Sequence, residues 1–255
     1  MKKAVFIILC TLLLLFFAAQ SDNRQRNREE KSASRQLQEL NNSEIKSVSY
    51  KNLQIIIRQT IPVKLSGFLC FEGAKLRLSA SSFFGKEIDV GMNDRSLWYW
   101  SKRLKPKALY YCKISEVNKS GLKSALNPKW ILISTCVEQK KPEKYELIEL
   151  KQGRMLISEH QNHTGAGMHV GRLYDSEQRL KGAYLFSPSG RMVASSEVTS
   201  FYFHQSKHLP RSLHVIWYEE GIVMDWHLGS PEVNIEMPSQ TWSMPNIQPT
   251  VNIGK

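Results

Sequence analysis

Beyond Pro62 the chain is patterned with period two. Leu76, Leu78 and Ala80 alternate with Lys75, Arg77 and Ser79, and Ile88, Val90 and Met92 alternate with Glu87, Asp89 and Gly91. Successive side chains of a strand point to opposite faces, so the pattern predicts antiparallel strands with one apolar and one polar face. Asn93-Asp94 supplies a turn and Leu97-Trp98-Tyr99-Trp100 follows, which predicts a hairpin of 86–92 and 96–101. Further strands are expected over 107–114, 145–150, 154–159, 168–174, 181–187, 191–203, 212–218 and 221–228. Ser187-Pro188-Ser189-Gly190 and Glu219-Glu220-Gly221 read as hairpin turns.

Two stretches read as helical. Ile45, Val48, Leu53 and Ile56 fit one face of a helix over 45–57, with Asn42 or Ser43 as its cap and Pro62 beyond its end. Asn127-Pro128 followed by Trp130-Ile131-Leu132-Ile133 predicts a short helix with proline in its first turn. The expected fold is therefore mainly β (α+β). It is a curved antiparallel meander of about ten or eleven strands that holds helices against its concave face.

The N-terminus stands apart from this domain. Lys2 and Lys3 precede an apolar run from Ala4 to Ala19, and Ala19-Gln20-Ser21 offers small residues for cleavage before Asp22. Residues 1–21 thus read as a secretory signal peptide. Arg24, Arg26 and Arg28 follow closely and favour the alternative of an uncleaved N-terminal anchor. Residues 22–43 are densely charged and read as a polar tether, and 44–255 as the folded domain. Either way the domain is exported.

Composition narrows the classes without choosing among them. Hydrophobic residues at 42% and charged residues at 23% exclude a disordered or collagen-like chain. One apolar run of near-spanning length excludes a polytopic membrane protein. Thirty-five Lys and Arg against 23 Asp and Glu give +12, and removing Lys2 and Lys3 leaves 33 against 23, or +10. Such a balance favours anionic surfaces. Eight cations, Lys102, Arg103, Lys105, Lys107, Lys113, Lys119, Lys123 and Lys129, fall in 102–129 against the lone Glu116. Export argues against nucleic acid as their partner, which leaves a merely solvated face or contact with phospholipid or lipopolysaccharide head groups.

Cys70, Cys112 and Cys136 allow one bridge and one orphan, or three buried thiols, and none lies in a CxxC. No GxSxG, HExxH or Walker loop occurs. The third glycine of Gly165-Ala166-Gly167-Met168-His169-Val170-Gly171 falls one residue late for a dinucleotide loop. His160 with His163, and His204 with His208, have helical metal spacing but sit in strand or loop context, where it has no geometric force. Glu72, Asp89 and Asp94 are candidate paired carboxylates with surface and turn roles as the simpler reading. No catalytic residue, metal or cofactor is assigned.

A series of short motifs is specific as a whole. Lys75-Leu76-Arg77-Leu78 is followed by Ile88-Asp89-Val90-Gly91-Met92-Asn93-Asp94, Leu97-Trp98-Tyr99-Trp100 and Leu109-Tyr110-Tyr111. Asn127-Pro128-Lys129-Trp130-Ile131, Tyr184 to Val193 around a Ser-Gly turn, Leu209-Pro210 and Val233-Asn234-Ile235 come later. Over about residues 45 to 255 this resembles the LolA/LolB-like superfamily of bacterial periplasmic lipoprotein carriers and receptors. The resemblance implies an unclosed half-barrel of about eleven antiparallel strands, lidded by two or three helices, whose cavity holds acyl chains. It also implies a periplasmic, non-enzymatic protein without a cofactor. Its partners are then acyl chains of lipoproteins or phospholipids, the membrane surface and envelope transport proteins, not nucleic acid. The acyl-lining candidates are Leu76, Leu78, Ile88, Val90, Trp98, Trp100, Tyr184 and Phe186, with an ordinary closed core as the alternative role for each, and the head-group candidates are Lys102, Arg103, Lys105 and Lys107. The receptor's lipobox has no counterpart here, because Leu9 precedes Cys10. A ligand-free structural module of the envelope, or a hydrolase whose site leaves no motif, are the competing readings.

Overall fold

A computed structural model of the chain describes residues 45–119, 128–135, 145–161, 167–177, 179–204 and 207–254. The signal or anchor, the tether and Cys136 lie outside them. The strands are β1 (Ser47–Arg58), β2 (Val63–Glu72), β3 (Lys75–Ser82), β4 (Gly85–Met92), β5 (Ser96–Ser101), β6 (Leu109–Lys113), β7 (Tyr145–Leu150), β8 (Gly153–Gln161), β9 (Gly167–Tyr174), β10 (Leu180–Phe186), β11 (Met192–His204), β12 (Lys207–Trp217), β13 (Ile222–His227), β14 (Pro231–Val233) and β15 (Thr250–Asn252). One α-helix, α1 (Pro128–Ser134), and 3₁₀ turns at Ile114–Lys119 and Ser239–Trp242 complete the described elements.

All strands join one sheet in the order β15-β6-β5-β4-β3-β2-β1-β13-β12-β11-β10-β9-β8-β7, with β14 also on β1. Only β15 pairs in parallel, with β6. Among the described residues the sheet is open: β7 and β15 end its path without pairing with each other. It is two meanders that meet where β1 pairs with β13, an arrangement compatible with an unclosed half-barrel. The strand count is fifteen rather than about eleven, and the described helical element over the sheet is α1 alone.

The chain leaves β6 near one edge of the sheet and re-enters at β7, the opposite edge, and α1 lies between them in sequence. Its middle, Trp130-Ile131-Leu132-Ile133, is buried against strands of both meanders. Cross-strand register places Leu53, Ile55, Leu65, Leu69, Leu78, Val90, Leu213 and Trp226 on that same side, the helix face. The C-terminal segment crosses the other side, from β14 on β1 to β15 on β6. We term that side the strap face.

The expected helix over 45–57 is instead strand β1. Its apolar residues are Val48 and Tyr50, then Leu53, Ile55 and Ile57. The register with β2 shifts between Tyr50↔Leu69 and Leu53↔Gly67. A β-bulge at that point inserts one residue, so the apolar face advances by three there instead of two. That single step mimics helical spacing. Residues 63–72, where the sequence pattern predicts no strand, form β2.

Candidate functional site

Four of the eight lining candidates converge on the helix face. Leu76 and Val90 are fully buried, Leu78 is 1% exposed and Ile88 8%. They share one apolar cluster with Ile131 and Leu132 of α1, with Trp226 and with Val215. Trp130 and Ile133 pack in a second cluster on Val170, Ala183, Ala194 and Trp217, and the Trp130 and Trp217 rings meet at 6.2 Å. Ser196 Oγ donates to the Ser134 carbonyl at 3.0 Å and pins the helix end. Two indoles bring polar N–H groups to this surface. The indole N–H groups of Trp217 and Trp226 are buried and have no acceptor among the described residues. Leaving such a donor unpaired costs about 1–3 kcal/mol. Burial, and then the neighbouring Tyr110 and Cys112, push the Tyr99 hydroxyl up to about 12. It adds no charge to this face at neutral pH.

The other four candidates point away. Trp98 pairs across β4–β5 with Gly91, and Tyr184 pairs with Ser195, so both belong to the strap face. Trp100 follows Trp98 by two residues and shares its side. Trp98 and Trp100 pack on Leu109 and Ile247 under the C-terminal strap. Phe186 reaches the Gly171 and Met155 side of β8–β9, again opposite α1. Alternation within each strand was legible in the sequence, but which hairpin presents which face to α1 was not.

The strap face shows what the Asp-x-Gly-x-Asn-Asp and Trp-x-Trp residues do. Asp89 is fully buried and accepts from Arg77 Nη2 at 2.8 Å, Lys86 Nζ at 2.6 Å and Trp98 Nε1 at 3.3 Å. Arg77 lies over the Trp98 ring at 5.3 Å and donates through Nη1 to the Ser243 carbonyl of the strap. A Cβ on Gly91 would fall 2.2 Å from Trp98, so only glycine lets this indole lie flat on β4. Asn93 Oδ1 accepts from the Arg95 and Ser96 N–H groups, and its Nδ2 donates to the Trp242 carbonyl. These residues hold the fold.

The head-group candidates sit in the β5–β6 connection. Lys102 and Arg103 lie 3.4 Å and 4.0 Å from Glu87. Burial would raise the Glu87 carboxyl, but hydrogen bonds from Ser82 and Lys102 and the nearby cations hold it below its ordinary value. Lys105 and Lys107 are exposed. Among the described residues neither has a carboxylate partner.

Other chemistry resolves into structural roles. Lys75 bridges Glu72 and Asp94 at 3.7 and 3.8 Å, while Asp89 is engaged as above, so no carboxylate dyad forms among these three. His208 packs beside Phe201 and Phe203, and His163 and the His160 side chain lie outside the described residues. No group of three metal-binding side chains occurs among the described residues. Ser212 Oγ meets His227 Nδ1 at 3.2 Å, but the His–Asp contact of 2.8 Å joins His214 to Asp225. A relay needs one imidazole to serve both partners, and here two different histidines do. Cys70 is a buried free thiol beside Ser49, and burial pushes it up, away from thiolate chemistry. Cys112 is buried as well.

Asp225 gives the domain a measurable acid response. Burial would raise its carboxyl, but hydrogen bonds from Arg58 and His214, with their charge, hold it below the ordinary value. Asp175 is lowered in the same way by Arg179. A carboxylate depressed in the folded state stabilises above its unfolded pKa, and that stability is lost as pH falls through the folded one. Melting temperature should therefore fall below about pH 4, the unfolded carboxylate range. The gap between wild type and Asp225→Asn should narrow on acidification. A gap that stays constant from pH 7 to pH 3 would contradict this.

No protein-family model matches the chain, and no curated protein matches it in sequence. Solved structures do. The chain is similar to a candidate outer membrane lipoprotein-sorting protein domain from Vibrio parahaemolyticus, at 12% identity and a TM-score of 0.55 over 82% of this chain and 94% of that one. A LolA superfamily protein from Nitrosomonas europaea matches at 12% identity and 0.55 over 83% and 97%. A DUF1329 family protein from Desulfovibrio piger matches at 9% identity and 0.55 over 86% and 97%. The chain shares the fold of these solved structures. At these identities the likeness is one of architecture, and it agrees with the resemblance carried by the motif series. No helix among the described residues is long and apolar enough to cross a membrane.

Proposed function

We propose that the protein is a non-enzymatic lipid- or lipoprotein-binding protein of the bacterial cell envelope, which shields acyl chains on the helix face. The observation that carries this reading is the surface beneath α1. It is an apolar sheet face whose Trp217 and Trp226 indole N–H groups are buried without acceptors among the described residues. An acyl ester matches it: methylenes gain about 0.8 kcal/mol each on burial, and an ester carbonyl satisfies an indole donor. Leu76, Leu78, Ile88 and Val90 are covered by their own cluster, so a chain reaches them only by taking the place of α1. A seven-residue helix is too short to be stable by itself and depends on its packing, which suits a displaceable lid. The name of the Vibrio parahaemolyticus neighbour, an outer membrane lipoprotein-sorting domain, supports lipoprotein sorting in the envelope, and that of the Nitrosomonas europaea neighbour places a LolA superfamily protein on the same fold.

The test combines two measurements on the purified full chain. Mass spectrometry of a solvent extract should find co-purified acyl lipid, and a fluorescent fatty acid should bind. Trp130→Ala removes the main anchor of α1; it should lower the melting temperature and raise fatty-acid uptake together. A wild type that carries no lipid and takes up no fatty acid would sink the carrier reading and leave the structural module. Loss of stability in Trp130→Ala without a change in uptake would move the ligand off this face.

A further inference from the structure

We propose that the end of the sheet formed by the β1–β2 and β3–β4 turns and the β5–β6 connection docks on an anionic phospholipid bilayer. β1, β3 and β5 run in the same direction, because each pairs antiparallel with the strand between them. Residues 59–62, 83–84 and 102–108 therefore emerge at one end. Adjacent hairpin tips lie about 10 Å apart, at two strand spacings.

What these tips carry is wrong for ordinary turns. Ser82 pairs with Gly85, so Phe83 and Phe84 are the two turn residues. Turn positions favour Gly, Asn, Asp and Pro. Here Phe83 is 98% exposed and Phe84 80%, with their rings edge to face at 5.5 Å. Gly85, at φ 99°, already supplies the left-handed residue that closes the hairpin. Neither ring contributes to a buried cluster, so folding does not account for them. Ile61, 80% exposed, stands on the next tip.

Charge identifies the surface they meet. The three connections and the residues beside them hold Lys64, Lys86, Lys102, Arg103, Lys105 and Lys107 against Glu87 and Asp89, and Glu219 and Glu220 stand on the β12–β13 turn beyond the β1–β2 tip. Glu87 and Asp89 are buried and already held by cations. Lys102 also donates to the Phe84 carbonyl at 3.1 Å, which ties the basic connection to the aromatic tip. Exposed aromatic side chains ringed by cations suit an anionic interface, where the rings enter the head-group region and the lysines meet phosphates. Protein interfaces are depleted in lysine, and five of these six cations are lysines. This docking extends the membrane contact of the carrier reading, but it needs no acyl chain under α1.

The test uses the full chain with vesicles of phosphatidylcholine and phosphatidylglycerol at three to one. In Phe83→Trp, the new indole should be quenched by brominated acyl chains relative to wild type. This readout is local to the tip and is insensitive to whatever the N-terminal run does. In sedimentation with the same vesicles, Phe83→Ser/Phe84→Ser should lower binding by about tenfold or more, the scale set by burying one such ring. Lys105→Glu/Lys107→Glu should weaken binding at low salt and much less at high salt, because exposed charges are screened. Phe203→Ser is the control, since Phe203 is 72% exposed at the opposite end of the sheet; it should bind as wild type does. Absence of extra quenching in Phe83→Trp overturns the proposal, as does equal loss in Phe203→Ser. Absent quenching, with self-association that disappears in Phe83→Ser/Phe84→Ser, would instead assign the tip to a second copy of the chain. Fatty-acid uptake by Phe83→Ser/Phe84→Ser should be unchanged, which separates failure here from failure of the acyl site.

Discussion

Replacing Asp89 by alanine is expected to cost about 3–5 kcal/mol, because removing one partner leaves a buried ion uncompensated. Asp89 is fully buried, and Arg77, on the facing strand, is 8% exposed. With the carboxylate gone, the guanidinium keeps the Ser243 carbonyl and the Trp98 face but loses its counter-charge. Lys86 is different. Its side chain is 41% exposed and turns to water at little cost. A domain of this size is stable by about 5–15 kcal/mol in total, so the loss should appear as a large drop in the urea midpoint. The strap should loosen with it, since Arg77 is one of its few polar ties, and limited proteolysis should cut first within 239–254. The double variant Arg77→Leu/Asp89→Ala should regain much of the loss by removing both charges. An Asp89→Ala midpoint within about 1 kcal/mol of wild type would mean that water already reaches Arg77.

The strands were legible wherever alternation ran unbroken. The hairpin read as 86–92 and 96–101 forms as Gly85–Met92 and Ser96–Ser101, and 145–150 forms as Tyr145–Leu150. The helix at 128–135 forms as Pro128–Ser134, because proline fits a first turn and four large apolar residues need cover on both sides. Failures came where local pattern and tertiary pairing disagree. The bulge in β1 makes period two look like period 3.6, and it took β2 out of view with it. β14 and β15 are three residues each and exist only because β1 and β6 offer edges for them.

The candidate site was half legible for a related reason. Alternation shows which residues of one strand share a face but not which face receives α1, since that is set by packing between segments distant in sequence. Leu76, Leu78, Ile88 and Val90 were therefore grouped with Trp98, Trp100, Tyr184 and Phe186, although the sheet divides them. The orphaned indoles of Trp217 and Trp226 had no local signal at all, since an unpaired donor is defined by neighbours distant in sequence. Phe83-Phe84 did have one. Two aromatics directly before Gly85, in place of turn residues, are conspicuous in the sequence alone.

Leu78→Glu is expected to unfold the domain near neutral pH rather than to block a ligand selectively. Leu78 is 1% exposed, faces Leu69 and Val90 across its neighbouring strands, and shares its cluster with Ile131 and Leu132. The substitution forfeits about 1.5–3 kcal/mol of apolar burial and places a carboxylate where desolvation costs several kcal/mol more. Together these approach the whole stability of a domain. The penalty should depend on pH with a definite sign. Burial raises the carboxyl above its unfolded value of about 4.3, so the folded variant is penalised most when the group must ionise. Its deficit relative to wild type should shrink as pH falls toward 4.5, leaving only the cost of a neutral carboxyl among leucines. Paired thermal melts from pH 7.5 to 4.5 measure this directly. A small deficit that does not change with pH would mean that residue 78 meets water, and the helix face would then be an open cleft without any movement of α1.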